Sequence, residues 1–121
     1  MVGNPKNNIE NISVRDRAQK LKNELNRWEA ILKNKYKPEK IILFGSYANG
    51  KTGEWSDIDM VILKDTDKPF LDRIKEVLLL LKPKVGLDVL VYTPQEFKQL
   101  CESKLFVKEE ISSKGLVIYE R

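Results

Sequence analysis

Histidine is missing altogether from the 121 residues. No Ser-His-Asp triad, no HExxH zinc site and no imidazole base can be assembled, so any chemistry must run on carboxylates, hydroxyls, Lys or Arg. Cysteine occurs once, at Cys101, which excludes an intrachain disulfide and a cysteine-cluster metal site. The residue reads as a free thiol on a helix in a reducing compartment. Long apolar runs are lacking too. The longest aliphatic stretch, Val77 to Leu81, falls far short of the ~20 residues that span a bilayer. The opening MVGNPKNN has no apolar stretch of the signal-peptide kind. These absences predict a soluble, cytoplasmic protein with no membrane partner.

What is present is charge. Charged residues make up 33% of the chain and hydrophobic ones 41%, yet apolar segments recur regularly along most of it, which argues against disorder. The length predicts one domain over 1–121, with no repeat, low-complexity tract or linker. The net charge of +4 is unevenly placed: residues 1–40 hold ten Lys/Arg and five Asp/Glu. The surplus includes Lys33, Lys35, Lys37 and Lys40. Such a patch suits phosphates, but lysines near a helix C-terminus also complement its dipole, and a solvated helix end is the better reading.

In the N-terminal part, 1–39, Val14, Ala18, Leu21, Leu25, Trp28 and Leu32 alternate at spacings of four and three, the mark of one apolar helix face. Ser13 with Asp16 resembles a cap at its start, and Pro38 bars its continuation. A helix packed on its own domain is preferred over a dimer seam, since too few heptads are present for a coiled coil; a homo-oligomer stays open. The central part, 40–92, predicts strands at Lys40 to Phe44 (KIILF), Asp57 to Leu63 (DIDMVIL) and Leu87 to Tyr92 (LDVLVY). Between the last two, a helix after Pro69 presents Leu71, Ile74, Val77, Leu78 and Leu81 inward and is closed by Pro83. In the C-terminal part, 93–121, Thr93-Pro94-Gln95-Glu96 supplies an N-cap, a first-turn proline and an acid at the third position. One or two helices reach Lys114, Gly115 stops them, and Leu116 to Tyr119 forms a last short strand. The class is α/β of the α+β type, a small mixed sheet flanked by helices.

Phe44 to Leu63, FGSYANGKTGEWSDIDMVIL, admits two readings, both concerning phosphates. Gly45 to Thr52 matches GxxxxGK[ST] and follows a strand, as a P-loop does. A P-loop also needs a helix opening at Lys51-Thr52, and the few residues before Asp57 leave no room for a crossover of a dozen or more. The second reading takes Gly45-Ser46, ten residues, then Asp57-Ile58-Asp59. Alternation along a strand puts both carboxylates on one face. Paired carboxylates repel unless a cation joins them, and their oxygens suit Mg²⁺, with room for two ions. Asp88, the one acid within its strand, supplies a third. Gly45 permits close backbone approach, Ser46 offers a hydroxyl and amide donors at the head of a one-turn helix, and Gly50 ends that turn. Anion donors on one side and metals on the other would hold a triphosphate between them.

Strand, Gly-Ser, short loop, DxD strand and third-strand Asp together resemble a minimal nucleotidyltransferase of the DNA polymerase β superfamily. The resemblance covers a catalytic core from about Lys40 to Tyr92, and the closing GLVIYER is similar to that group as well. It implies the polymerase-β-like nucleotidyltransferase fold, with Gly45 and Ser46 binding the β/γ phosphates and Asp57 and Asp59 ligating both metals. Asp88 would ligate the catalytic metal and help deprotonate the acceptor hydroxyl. Many members carry Arg where this chain has Asn49, in a GSxARG pattern; Lys51 is the nearby cation expected to bind nucleotide in its place. The implied reaction is transfer of a nucleoside monophosphate, AMP from ATP, to a hydroxyl with pyrophosphate release. Members of this kind resemble the antitoxin half of toxin–antitoxin pairs that attach AMP to a tyrosine of a HEPN-type partner protein. The Asn49 departure keeps a second reading open, a catalytically weak or inactive module of the same fold that binds nucleotide or partner. An antibiotic-modifying small-molecule nucleotidyltransferase ranks last, for want of an acceptor-binding domain. Tyr47 and Trp55 are the aromatics near the site; Trp28 is expected in the core.

Overall fold

The computed structural model describes the backbone of residues 5–50 and 57–121 and, within those spans, side chains from residue 16 onward. Helix α1 runs Pro5–Ile31 and continues as a π-helical segment, Leu32–Tyr36, that ends where Lys37 turns left-handed (φ 55°) ahead of Pro38. Strand β1 (Lys40–Phe44) leads into the one-turn α2 (Gly45–Ala48). Then come β2 (Ile58–Leu63), α3 (Phe70–Leu81), β3 (Leu87–Tyr92), α4 (Pro94–Ser103), a second π-helical segment (Val107–Ser113) and β4 (Leu116–Glu120). The strands form one sheet in the order β3-β2-β1-β4. β1 is antiparallel to both β2 and β4, whereas β2 and β3 are parallel. This is the mixed sheet flanked by helices that the sequence predicts.

Alternation along the strands sorts side chains onto two faces. Ile41 and Leu43 of β1, Ile58, Met60 and Ile62 of β2, and Val89 and Val91 of β3 pack with α1 and α3 around Leu21, Leu25, Trp28, Val77 and Leu81. Ile42, Val61 and Leu63 point the other way, onto Phe97 of α4 and Ile111. The Thr93 side chain accepts the Glu96 N–H while Glu96 reaches back to the Thr93 N–H, with Pro94 in the first turn. The expected capping box is therefore formed.

Four expectations need correction. The first helix does not start at Ser13; it is already helical at Pro5, and proline fits a first turn. Its apolar stripe buries from Leu21 on, whereas Ala18 is exposed. A 27-residue helix is ~40 Å long, about twice the length of the strands it lies on. Leu71 is 70% exposed. At 100° per residue it sits about 120° round α3 from Val77, off the buried arc. Finally, β2 begins one residue late, at Ile58, and β4 extends to Glu120. Val14 lies among the residues whose side chains are outside the described set.

A part-buried ion pair on α1 is tied to the end of α3. Arg27 donates to the Leu81 carbonyl from Nη1 (2.7 Å) and to the Lys82 carbonyl from Nη2 (3.1 Å), satisfying carbonyls that a helix end leaves without partners. The same guanidinium holds Glu24 through Nε (2.9 Å) and Nη2 (2.7 Å), and Glu24 also accepts the Lys84 N–H at 3.0 Å. The Arg27 hydrogen bond chiefly lowers the Glu24 carboxyl from its ordinary 4.5 to about 2. A depressed carboxyl contributes stability that is complete above 4.5 and lost as pH falls toward 2. Glu24→Gln is therefore expected to flatten the acid-unfolding profile in that window and to lower Tm at neutral pH; parallel Tm–pH curves for the two proteins would refute it.

Candidate active site

The site is built where β1 ends and β2 and β3 begin. β1 stops because Gly45 takes φ +75°, a conformation that side chains disfavour. The turn of α2 follows at once, carrying Ser46 exposed and Tyr47 partly buried against the main core. Asn49 donates its N–H to the Gly45 carbonyl at 3.1 Å, and Gly50, at φ +73°, closes the turn with its N–H on the Tyr47 carbonyl. The one-turn helix and its glycine stop thus form as predicted.

Strand pairing does the rest. Phe44 pairs with Asp59 across the antiparallel β1–β2 ladder, and Asp59 pairs with Asp88 across the parallel β2–β3 ladder. Residues 29 positions apart in the chain, Asp59 and Asp88, thereby become neighbours on one face, the face of Val61 and Leu63. Cover increases along that face: Asp57 is exposed, Asp59 is half-buried, and Val61 and Leu63 are buried. Asp88 is exposed at the entry of β3. The acids therefore lie at the more open end of that face.

Two glycines make room for the carboxylates. A Cβ on Gly45 would overlap Oδ2 of Asp59, and a Cβ on Gly86 would overlap Oδ1 of Asp57. Gly86 also accepts the Ile58 N–H at 3.1 Å, which tacks the start of β2 to the start of β3. Asp57 thus leans toward β3 and Asp59 toward the end of β1. Among the described residues no three carboxylate or thiol side chains converge on one ion position as they lie. Asp59 and Asp88 already interact: burial first, then the Asp88 charge and hydrogen bond and the Asp57 charge, raise the Asp59 carboxyl above its ordinary range. Like charges held together at half-burial are what a hard divalent cation relieves, so the donor set fits one in chemistry.

The structure brings Gly45, Ser46, Asp57, Asp59 and Asp88 to one end of the sheet. Lys51 and Trp55 lie outside the described residues. The P-loop reading fails on topology: β1 and β2 are antiparallel neighbours, and the helix after β1 opens at Gly45. The lysines weighed as a phosphate patch belong elsewhere. Lys40 pairs with Leu63 at the far end of β1 from Phe44, Lys33 lies over the Tyr119 ring, and Lys40 pairs with Glu120. Gly86 was missed by the sequence reading, and the available signal was a glycine two residues ahead of the strand acid.

The model of the family described as nucleotidyltransferase domain matches residues 25–118. Two Methanocaldococcus jannaschii proteins, each named "Putative protein adenylyltransferase", are similar in sequence. One is 35% identical over 94 residues, 72% of this chain and 94% of the relative. The other is 49% identical over 51 residues, 40% of this chain and 51% of the relative. In fold, the crystal structure of a "putative nucleotidyltransferase" from Sulfolobus solfataricus aligns with a TM-score of 0.60, at 18% identity, over 90% of this chain and 87% of that one. No described helix is long and apolar enough to cross a membrane. A family match over most of the chain, on a mixed sheet that gathers Gly-Ser and three acids at one end, establishes that this protein belongs to the nucleotidyltransferase domain family, enzymes that transfer a nucleoside monophosphate.

Proposed function

We propose that the chain moves AMP from Mg-ATP onto a hydroxyl of a partner protein, in the manner of an antitoxin acting on a HEPN-type toxin. The observation that carries the reading is the pairing of Asp59 with Asp88, one strand away from the glycine that opens α2. The protein acceptor is supported by the names of the two archaeal relatives, each called a putative protein adenylyltransferase.

Asp57, Asp59 and Asp88 would hold two Mg²⁺. Bound there, the ions would lower the acceptor pKa and neutralise charge on the leaving pyrophosphate. Gly45 leaves the backbone open to the β and γ phosphates, and Ser46 supplies a hydroxyl and an N–H to them. Lys51 is the cation that would serve in place of the Arg that many related chains carry at the Asn49 position. Asp88, exposed at the entry of β3, would help take up the proton of the acceptor hydroxyl. The acceptor oxygen then bonds to the α-phosphorus as the bond to the bridging oxygen breaks, and pyrophosphate leaves.

The test uses ATP labelled separately at the α and γ positions, with Mg²⁺ and the source-cell lysate. Label from the α position is expected on a protein band, with γ label in pyrophosphate. Transfer of α label only to small molecules would overturn the protein acceptor. No transfer, with Mg-ATP leaving Tm unchanged, would favour an inactive module that binds a partner and not nucleotide.

A further inference from the structure

We propose that Gly86 is a positioning residue for nucleotidyl transfer: the side chain it lacks is the space in which the Asp57 carboxylate lies beside β3, on the strand that carries Asp88. This rests on the reading of Asp57 as a metal ligand. The Gly86 backbone does not take a positive φ; among the described glycines only Gly45 and Gly50 do. Conformational freedom is therefore not what position 86 needs from glycine. Packing is. The three atoms nearest to a Cβ built there are Oδ1, Cγ and Oδ2 of Asp57, all closer than ordinary van der Waals contact. Among the described residues no other group crowds the position as closely, so the missing side chain serves one carboxylate.

The geometry also says why this residue acts through Asp57 and not through the fold. The crowded atoms are the end of a flexible, exposed side chain, which swings away cheaply. The hydrogen bond from Ile58 N–H uses the Gly86 carbonyl, which a Cβ leaves in place. Gly86→Ala should consequently spare the sheet and displace the carboxylate. Asp57 would be pushed off the β3 side, away from Asp88, and the three acids would close less readily around a cation. Orientation of this kind is typically worth about 10–100-fold in metal affinity.

The experiment measures Mn²⁺ affinity by electron paramagnetic resonance, the Mg²⁺ dependence of turnover, and Tm in metal-free buffer, for the parent, G86A, D57A and D57A/G86A. G86A is expected to bind Mn²⁺ about tenfold more weakly, to need correspondingly more Mg²⁺ for half-maximal rate, and to keep the parent's Tm. In the D57A background the second substitution should change Mn²⁺ affinity no further, because its target is gone. If D57A weakens Mn²⁺ binding and G86A does not, the positioning role is overturned while the ligand reading stands. If D57A binds Mn²⁺ like the parent, the ligand reading itself falls. A loss of Tm in G86A that persists in D57A/G86A would make Gly86 a folding residue and overturn the proposal.

Discussion

Asp59→Asn is expected to lower nucleotidyl transfer by more than about a thousandfold while raising Tm in metal-free buffer. The two effects share one cause. Asp59 is half-buried, and its register partner across the parallel ladder is Asp88. Burial is the larger reason that its carboxyl is raised above the ordinary 3.8, and the Asp88 and Asp57 charges add to it. A carboxyl raised in the fold makes ionisation costly to folding. That penalty is absent below 3.8, sets in as pH rises through that value, and is complete above the raised native pKa. Asparagine removes it, keeps the shape that packs against Gly45, and can donate to Asp88. The gain in Tm should therefore appear at neutral pH, vanish in acid, and shrink when Mg²⁺ is added, because the cation offsets the repulsion in the parent alone. Turnover and thermal melts with and without Mg²⁺ check both halves. Retained turnover would remove Asp59 from the reaction, and a lower Tm at neutral pH would mean that its carboxylate supports the fold.

The second large effect is purely structural. Arg73 is 6% exposed, and its guanidinium ties together three elements. It donates to the Lys68 carbonyl at 2.7 Å before α3, to the Val91 carbonyl at 3.2 Å in β3, and to both oxygens of Glu96 at 2.7 and 3.3 Å in the capping turn of α4. Arg73→Ala would strand these acceptors and break up the capping turn. Removing one member of such a buried network costs about 3 kcal/mol, or roughly 10 °C in Tm for a domain of this size. Arg73→Lys is expected to recover little, since a single ammonium cannot reach three directions as a planar fork does. Val91 lies toward the end of β3 and Asp88 near its start, so activity per folded molecule should hold. Urea denaturation reads the first expectation and kcat at low temperature the second. A Tm within 2–3 °C of the parent, roughly 1 kcal/mol, would show that the network is dispensable.

Arg73 also marks where sequence reading falls short. In FLDRIKEVLLLL every apolar residue competes for the inner face, and Leu71 looks like a better tenant than an arginine. Periodicity reports which residues are able to face inward; it does not report that β3 and α4 will bring a carbonyl and a carboxylate to meet a guanidinium at the helix start. Glu24 and Arg27 follow the same logic inside the apolar stripe of α1. Both are held by the backbone of a turn more than fifty residues away, which no local window contains. By contrast, the capping box at Thr93 and the strand at Lys40 were legible, because their causes lie within a few residues.

The candidate site divides along the same line. Sequence alone determined that histidine and cysteine clusters take no part, that Gly45-Ser46 ends a strand, and that Asp57 and Asp59 share a face through the two-residue period of an extended chain. It also carried the family resemblance that the domain match now establishes. Only the tertiary structure decided that β3 joins β2 in parallel, that Asp88 therefore stands beside Asp59, and that Gly86 leaves space for Asp57. The physical reason is register. Each strand states which side chains share a face, but which neighbour it pairs with, and at what offset, follows from burying both faces of the sheet at once, a condition imposed by helices drawn from the whole chain.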